Sequence, residues 1–201
     1  MKRLGFNLAL LGMIASGKET QANILKKKFA LKFVETGVFS RKLLKAKGKE
    51  GDIARKSTGK GDPLHTKLIQ QFLKNEINKK PKNKDLLILG GRLKPEAQLI
   101  KKLLDQKGEK LFALFLSLPD KEVYQRSHLR SQSNAKEIYK VLDDKKIIAR
   151  RIKYHKEQVS KTVKYYQKFG ILKKINGNQP IQKVTRDILK ALSEFKIAAA
   201  S

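Results

Sequence analysis

Apolar residues recur along the chain in short runs, and segments with helical spacing separate these runs. The runs have the length of strands buried on both faces, and they are Phe6–Leu11, Lys32–Glu35, Leu86–Leu89, Leu111–Leu118 and Ile171–Ile175. Elsewhere, apolar residues three or four positions apart predict helices over Lys18–Ala30, Pro63–Lys80, Pro95–Gln106, Lys121–Arg130, Asp143–Gln167 and Ile181–Phe195. Strands that alternate with helices predict an α/β fold, in which helices cover both faces of a parallel sheet.

The chain of 201 residues is long enough for a single domain with a sizeable core, and we expect one domain over residues 1–201. The stretch Lys45–Gly61 has the least regular pattern and is rich in Lys, Gly, Asp and Ser. We therefore expect it to belong to a small mobile lobe that lies outside the sheet.

Residues 1–17 allow two interpretations. A basic start, an apolar middle and small residues at the end resemble a short secretory signal. The alternative is a buried strand, Phe6–Leu11, that enters a glycine turn, and the phosphate-loop pattern in that turn favours it. The chain has no apolar run long enough for a membrane span, so we expect a cytoplasmic protein with no membrane contact.

Composition and charge narrow the classes of function. The 47 Lys and Arg residues against 18 Asp and Glu residues give a formal net charge of +29, which points to anionic partners. The chain has no cysteine, which excludes a disulfide scaffold, a cysteine zinc site and a thiol nucleophile. The three histidines, His65, His128 and His155, lack ligand spacing, and we expect His65 and His155 on helix surfaces.

The strongest local motif runs from Gly12 to Thr20 and fits G-x-x-x-x-G-K followed by any residue and Thr. It follows an apolar strand and precedes a helix, so consecutive backbone N–H groups and the helix N-terminus can surround a phosphate. Lys18 is expected to reach the β- and γ-phosphates, and Thr20 to touch phosphate or Mg²⁺. Glu19 departs from the strict motif, since a carboxylate there repels a triphosphate unless it points away.

From Leu8 to Leu192 the sequence resembles the adenylate kinase and nucleoside monophosphate kinase family of the short-lid type. The resemblance rests on the phosphate loop and on further segments in the same order: Glu35–Arg41, Gly61–Leu64, Leu89–Lys94 with Gln98, Leu116–Asp120, Arg126 with Arg130, Asp143–Asp144, Arg150 with Tyr154, and Ile175–Gly177. It implies a three-layer P-loop kinase fold with a five-stranded parallel sheet of order 2-3-1-4-5. A helical monophosphate-binding lobe (37–80) and a short lid (130–143) are expected to extend from it.

The resemblance also implies an activity, transfer of the ATP γ-phosphoryl group to a nucleoside monophosphate, most simply AMP, and a set of site residues. The implied catalytic residues are Lys18, Lys94, Arg130 and Arg150. The implied ATP-binding residues are Gly12, Ala15, Ser16, Gly17, Lys18, Glu19, Thr20 and Arg126, and the implied monophosphate-binding residues are Thr36, Arg41, Asp62, Gly91 and Gln98. The implied cofactors are ATP and Mg²⁺, without a direct protein ligand to the metal except Thr20 and without zinc, and we expect a monomer that takes nucleotide substrates.

Several positions depart from the family pattern. They remove the loop's Pro and two Gly residues, an acid that orients Mg²⁺ and two arginines, and they are Ile14, Ala15, Glu19, Gly90, Lys94 and Val141. Losing one positioned charge typically costs about 3 kcal/mol of transition-state stabilisation. A degenerate nucleotide-binding or RNA-associated member with little or no catalysis therefore stays open as an alternative. The lysine-rich outer helix faces predict at most a weak, nonspecific contact with nucleic acid.

Overall fold

The computed structural model describes residues 1–58, 66–132 and 145–199, which form one parallel sheet and the helices around it. The strands are β1 (Asn7–Gly12), β2 (Leu31–Glu35), β3 (Asp85–Leu89), β4 (Leu111–Ser117) and β5 (Leu172–Asn176). The helices are α1 (Lys18–Lys28), α2 (Thr36–Lys45), α3 (Lys49–Thr58), α4 (Thr66–Asn78), α5 (Lys94–Asp105), α6 (Asp120–Gln132), α7 (Lys145–Lys168) and α8 (Ile181–Ala198).

The sheet has the order β2-β3-β1-β4-β5, and every neighbouring pair is parallel. The predicted fold class, strand number and strand order are therefore confirmed. The register aligns Glu35 with Leu89 and Gly12 with Leu116, so the carboxyl ends of the strands meet at one edge of the sheet. Ligands of open α/β sheets bind outside this edge, where the strand order reverses.

Each face of the sheet has its own apolar core, because alternate residues of a strand point to opposite faces. Ala9 and Leu11 of β1 pack on the face that α2, α4, α5 and α7 cover, while Leu8 and Leu10 pack on the face that α1 and α8 cover. All six residues of β1 are buried, which explains its nearly continuous apolar sequence. The expected strand at the start of the chain is thus confirmed as the central strand of the sheet.

The helices after β2 show what the irregular stretch Lys45–Gly61 forms outside the sheet. That stretch contains the whole of α3, whose Ala54 is fully buried, and α2 precedes it. Gly51 weakens the helical pattern, yet a side chain there would collide with the carbonyl oxygen of Ala46. Arg55 donates from Nη1 to the carbonyl oxygens of Leu44 and Ala46, which ties α3 to the end of α2. Tertiary contacts therefore stabilise a helix that local sequence preference indicates only weakly.

Two predicted regions lie partly outside the described residues. Within the predicted lobe, 37–80, the structure describes α2, α3 and α4, while residues 59–65 lie outside it. The predicted lid, 130–143, is described only to Gln132, at the end of α6. Throughout the described ranges, no helix combines the length and apolar character that a membrane span requires.

Candidate active site

The loop between β1 and α1 has the shape that a phosphate requires. A Cβ at Gly12 would lie 2.7 Å from Ser16 Oγ and 2.9 Å from the carbonyl oxygen of Leu116, so no side chain fits there. Gly17 has a φ of +84°, in the left-handed region that glycine tolerates. Ala15 occupies the same region with a φ of +56°, at a cost of about 1 kcal/mol for a residue with a Cβ.

Apolar side chains of the loop pack against neighbouring helices. Met13 and Ile14 pack with Val123 of α6 and with Ile148 and Ile152 of α7 in a small core of their own. This packing explains why an apolar Ile occupies position 14 of the loop. It also couples the loop to α6 and α7, the two helices that flank residues 133–144 in the sequence.

Lys18 closes the loop on itself. Its Nζ donates to the carbonyl oxygens of Gly12 (3.0 Å) and Met13 (2.7 Å) and to Ser16 Oγ (3.3 Å). The residue keeps partial exposure, but the ammonium group is enclosed. Desolvation, followed by the positive charges of Arg92 and Arg130, lowers the pKa of Lys18 to about 7. A bound phosphate would form an ion pair with the ammonium group and so offset the free-energy cost of its desolvation.

His155 lies against the same loop, which corrects the expectation that it sits on a helix surface. The residue is 7% exposed, and its Nε2 is 3.0 Å from the carbonyl oxygen of Gly12. A carbonyl only accepts, so Nε2 carries the proton and Nδ1 is bare in the neutral ring. Desolvation, Arg92 and Lys18 lower the pKa of His155 well below 6.5, which keeps the ring neutral. His155 is thus a second donor to the first glycine of the loop.

The buried His155 is expected to make the fold sensitive to acid. The unfolded chain takes up a proton near pH 6.5 and the folded chain does not, so the free energy of unfolding falls as the pH drops below 6.5. The loss reaches about 1.4 kcal/mol per pH unit. His155→Gln keeps a donor but cannot titrate, so its urea unfolding at pH 7.5, 6.5 and 5.5 should depend less on pH. The exposed His128→Gln is the control, and equal slopes for the natural chain and His155→Gln would contradict the prediction.

A cavity of about 240 Å³ opens at this loop, at the carboxyl edge of the sheet. Positively charged side chains from five elements or connections line it: Lys18, Arg41, Arg92, Arg130 and Arg151. Within the part of the chain that the structure describes, the acids on its wall are Glu19, Glu35 and Glu96. Convergent cations in a partly enclosed space favour bound anions, because water screens the charges less there. The cavity therefore suits the phosphate groups of a nucleotide.

The predicted site residues are divided between the cavity lining, the phosphate loop and positions outside the lining. Those that line the cavity are Gly12, Ala15, Lys18, Glu19, Thr36, Arg41 and Arg130. Ser16 and Gly17 belong to the loop itself, while those that are not part of the described lining are Thr20, Gly91, Lys94, Gln98, Arg126 and Arg150. Asp62, like the departure at Val141, lies outside the described residues.

Arg126 connects α6 to the end of β5. Its Nε donates to Glu122 Oε2 (3.1 Å), its Nη1 to the carbonyl oxygen of Gly177 (3.3 Å) and its Nη2 to Asn178 Oδ1 (3.1 Å). In this arrangement the guanidinium group braces the loop after β5 from the side of α6. The implied role of Arg126 in ATP binding stays a prediction.

Sequence reasoning missed Arg92, Arg151 and Glu96, and it misplaced His155. On α7 the cavity residues Arg151, Tyr154, His155 and Gln158 follow the spacing of one helix face. A search of this helix for polar residues at helical spacing, in addition to apolar ones, would have found them. Glu96 is buried, and its Oε2 accepts a hydrogen bond from the backbone N–H of Leu93 (3.3 Å), so it caps the start of α5.

Gly90, where the family resemblance places an acid, is packed against Thr36. A Cβ at Gly90 would overlap Thr36 Oγ1 and Cγ2 and would lie 2.8 Å from its Cβ. Thr36 is 5% exposed, and its Oγ1 donates to the carbonyl oxygen of Leu89 (3.3 Å). The glycine is therefore a packing requirement of this chain as it folds, and the space of an acidic side chain is taken by Thr36.

The sheet order, the glycine loop after β1 and the lysine that opens α1 together define a P-loop kinase fold. A model of the family described as Adenylate kinase matches residues 10–171. The chain belongs to the adenylate kinase family, as its sequence motifs predicted. It is therefore an enzyme of the phosphotransferase class, a nucleoside monophosphate kinase with nucleotide substrates.

Curated relatives match over nearly the whole chain. The adenylate kinase of Methanothrix thermoacetophila is 27% identical over 215 aligned residues, which cover 94% of this chain and 100% of the relative. The adenylate kinase of Brucella melitensis is 29% identical over 190 residues, with 92% and 97% covered. That of Caldicellulosiruptor bescii is 26% identical over 210 residues, with 92% and 98% covered.

Proposed function

We propose that this chain transfers the γ-phosphoryl group of ATP to a nucleoside monophosphate, with AMP as the preferred acceptor. One observation carries the proposal: the phosphate loop with Lys18 and the N-terminus of α2 with Arg41 open onto the same cavity. One set of cations suits the donor triphosphate and the other suits the acceptor phosphate. Both must lie close together for a direct transfer between two nucleotides.

The residues perform this transfer by position and charge. Lys18 leaves the carbonyl oxygens of Gly12 and Met13 and binds the β- and γ-phosphates, while the loop N–H groups surround the chain of phosphates. The N-terminus of α2 and Arg41 hold the acceptor phosphate. Arg130 and Arg151 stabilise the charge that spreads over the oxygens of the transferring group.

The donor binds as its magnesium complex. No cluster of three or more His, Asp or Glu side chains is placed to hold a metal ion in the described ranges. Mg²⁺ suits this wall nevertheless, since it keeps much of its water shell and binds through substrate phosphates and few carboxylates. Glu19 and Glu35 are the carboxylates of the cavity wall that would hold such a water shell, and Mg²⁺ would neutralise phosphate charge.

The activity is tested by a coupled assay for ADP production with ATP, Mg²⁺ and AMP, CMP, UMP or GMP. Turnover is expected with AMP above the other three acceptors, and Lys18→Met serves as the inactive control. Equal rates for the natural chain and Lys18→Met with all four acceptors would contradict the proposal. A higher rate with another acceptor would keep the transfer and replace AMP as the substrate.

A second candidate is a degenerate family member that binds nucleotide with little turnover, and the packing of Gly90 on Thr36 favours it. That packing leaves no acid at the position where the family resemblance places one. Thermal-shift measurements with ATP and with a bisubstrate analogue separate the two functions when combined with the assay. Stabilisation by both ligands together with no turnover would support binding alone, and turnover would exclude it.

A further inference from the structure

Arg92 lies at the cavity, whereas Lys94, two residues further along the chain, is not part of its described lining. Between the end of β3 at Leu89 and the start of α5, buried and exposed residues alternate: Gly91 and Leu93 are buried, while Arg92 and Lys94 are exposed. Arg92 lines the cavity, whereas Lys94, the first residue of α5, is not part of the described lining. The exposure of Arg92 is therefore exposure toward the cavity.

On one side, Arg92 reaches the N-terminus of α2. Its Nη2 is 3.9 Å from the position of a Cβ on Gly37, and Arg41 Nη1 is 3.4 Å from the same point. Gly37 is the second residue of α2, where free backbone N–H groups and the helix dipole favour an anion. Two guanidinium groups thus converge on the helix end that the acceptor phosphate is proposed to use.

On the other side, the charge of Arg92 acts on the phosphate loop. It is the second-largest cause, after desolvation, of the lowered pKa values of Lys18 and His155. Arg92, Lys18 and Gly37 line the same cavity, so the guanidinium group lies between the loop that suits the donor phosphates and the helix end that suits the acceptor phosphate. A phosphoryl group in transfer has to cross this space.

The backbone at Arg92 is held in place by α7. Thr162, which is fully buried, donates from Oγ1 to the carbonyl oxygen of Arg92 at 2.6 Å. Leu93 beside it is buried and is the N-cap residue of α5. A fixed backbone with a side chain that extends into the cavity limits the reorganisation needed to bind a phosphate.

We propose that Arg92, rather than Lys94, supplies the guanidinium group that binds the transferring phosphoryl group next to the acceptor phosphate. The proposal rests on the proposed function. An arginine offers two parallel N–H donors to phosphate oxygens, whereas a lysine offers a point charge. The chain thus keeps the arginine fork that it lacks at position 94, and supplies it from two residues earlier.

The test compares matched variants in the coupled assay with ATP and AMP. Arg92→Met is expected to lower kcat/KM for AMP about a hundredfold or more, and Arg92→Lys to recover a part of the loss. Lys94→Met is expected to lose about threefold at most. The control is Arg186→Met, which removes an exposed arginine of α8 away from the cavity lining. A loss for Lys94→Met as large as for Arg92→Met would overturn the proposal.

Chemical rescue separates a direct role from a structural one. Added guanidinium ion at low millimolar concentration should raise the rate of Arg92→Ala and leave Arg186→Ala unchanged. Rescue supports contact with the reacting phosphate. The absence of rescue, with circular dichroism like that of the natural chain, counts against it.

A binding measurement keeps this proposal distinct from the proposed function. Calorimetric titration with AMP should give about tenfold weaker binding for Arg92→Met and little change for Lys94→Met. If the natural chain binds AMP without turnover, the transfer proposal fails, and the two affinities still decide whether Arg92 or Lys94 holds the phosphate. If the natural chain does not bind AMP, both proposals fail.

Discussion

Lys18→Met is expected to lower kcat by about 10²–10³-fold while making the protein more stable without nucleotide. Catalysis falls because the methionine carries no charge for the β- and γ-phosphates. Stability rises because the enclosed ammonium group, with its pKa lowered from 10.5 to about 7, costs about 5 kcal/mol. The three hydrogen bonds of Nζ offset a part of this cost, and the remainder leaves the variant more stable at neutral pH.

The pH dependence of this gain has a definite sign. Between about pH 7 and 10.5 the unfolded chain holds a proton on Lys18 that the folded chain has lost, so the free energy of unfolding of the natural chain rises with pH there. The advantage of Lys18→Met should therefore be largest at pH 7 and below, and shrink toward pH 10.

Urea unfolding at pH 7, 8.5 and 10 measures the effect. Lys27→Met, which removes an exposed lysine from the same helix, is the control and should change neither stability nor rate. A Lys18→Met variant that is less stable than the natural chain at pH 7 would show that the ammonium group stabilises the loop.

Gly90→Ala and Gly90→Asp are expected to destabilise the protein by about 2–3 kcal/mol, although the family resemblance places an acid at this position. The added Cβ overlaps Thr36, which is buried and hydrogen-bonded to the carbonyl oxygen of Leu89. For a chain of this size, the melting temperature should fall by about 5–10 °C. Gly90→Asp should therefore not gain activity, because Thr36 or the segment after β3 has to move out of the site.

A double-mutant cycle identifies the cause. Thr36→Gly removes Oγ1, Cγ2 and Cβ, so Gly90→Ala should cost less in that background than in the natural chain. Thr36→Ser keeps Cβ and a hydroxyl group and should relieve little of the cost. Thermal unfolding measures all combinations. Equal costs of Gly90→Ala in the natural and Thr36→Gly backgrounds would mean that the overlap with Thr36 is not the reason for the glycine.

The positions of the basic residues separate those of the candidate site from those that only contribute to the net charge of +29. Among the Lys and Arg residues that the structure describes, five line the cavity, and other lysines lie on exposed helix surfaces such as Lys26–Lys28. A high net charge raises the local concentration of any anion. Recognition of a particular anion depends on the small set at the cavity, where Lys18, Arg41 and Arg92 come from three separate parts of the chain.

Much of the fold could be predicted from local sequence. The period of the apolar residues differs between strands and helices, and it located all five strands to within one or two residues. The phosphate loop was equally predictable, because its function uses the backbone N–H groups of consecutive residues. The bounds of α3, inside the expected helical lobe, did not follow from the residue pattern, because Gly51 and the small number of apolar residues weaken the helical spacing. Contacts with α2 stabilise this helix.

The position of individual site side chains was decided by the tertiary structure. Neighbouring residues of a helix point about 100° apart, so the choice between Arg150 and Arg151 depends on how packing rotates α7. The burial of His155 against Gly12 needs α7 to lie over the phosphate loop.

By itself, the sequence of this protein determined the alternation of strands and helices and the phosphate loop, since both follow from spacings between near neighbours. Only the tertiary structure decided that Arg92 enters the cavity in place of Lys94, and that Thr36 fills the space beside Gly90. These contacts join residues that lie far apart in the chain, and the direction of each side chain is set by the packing of whole helices.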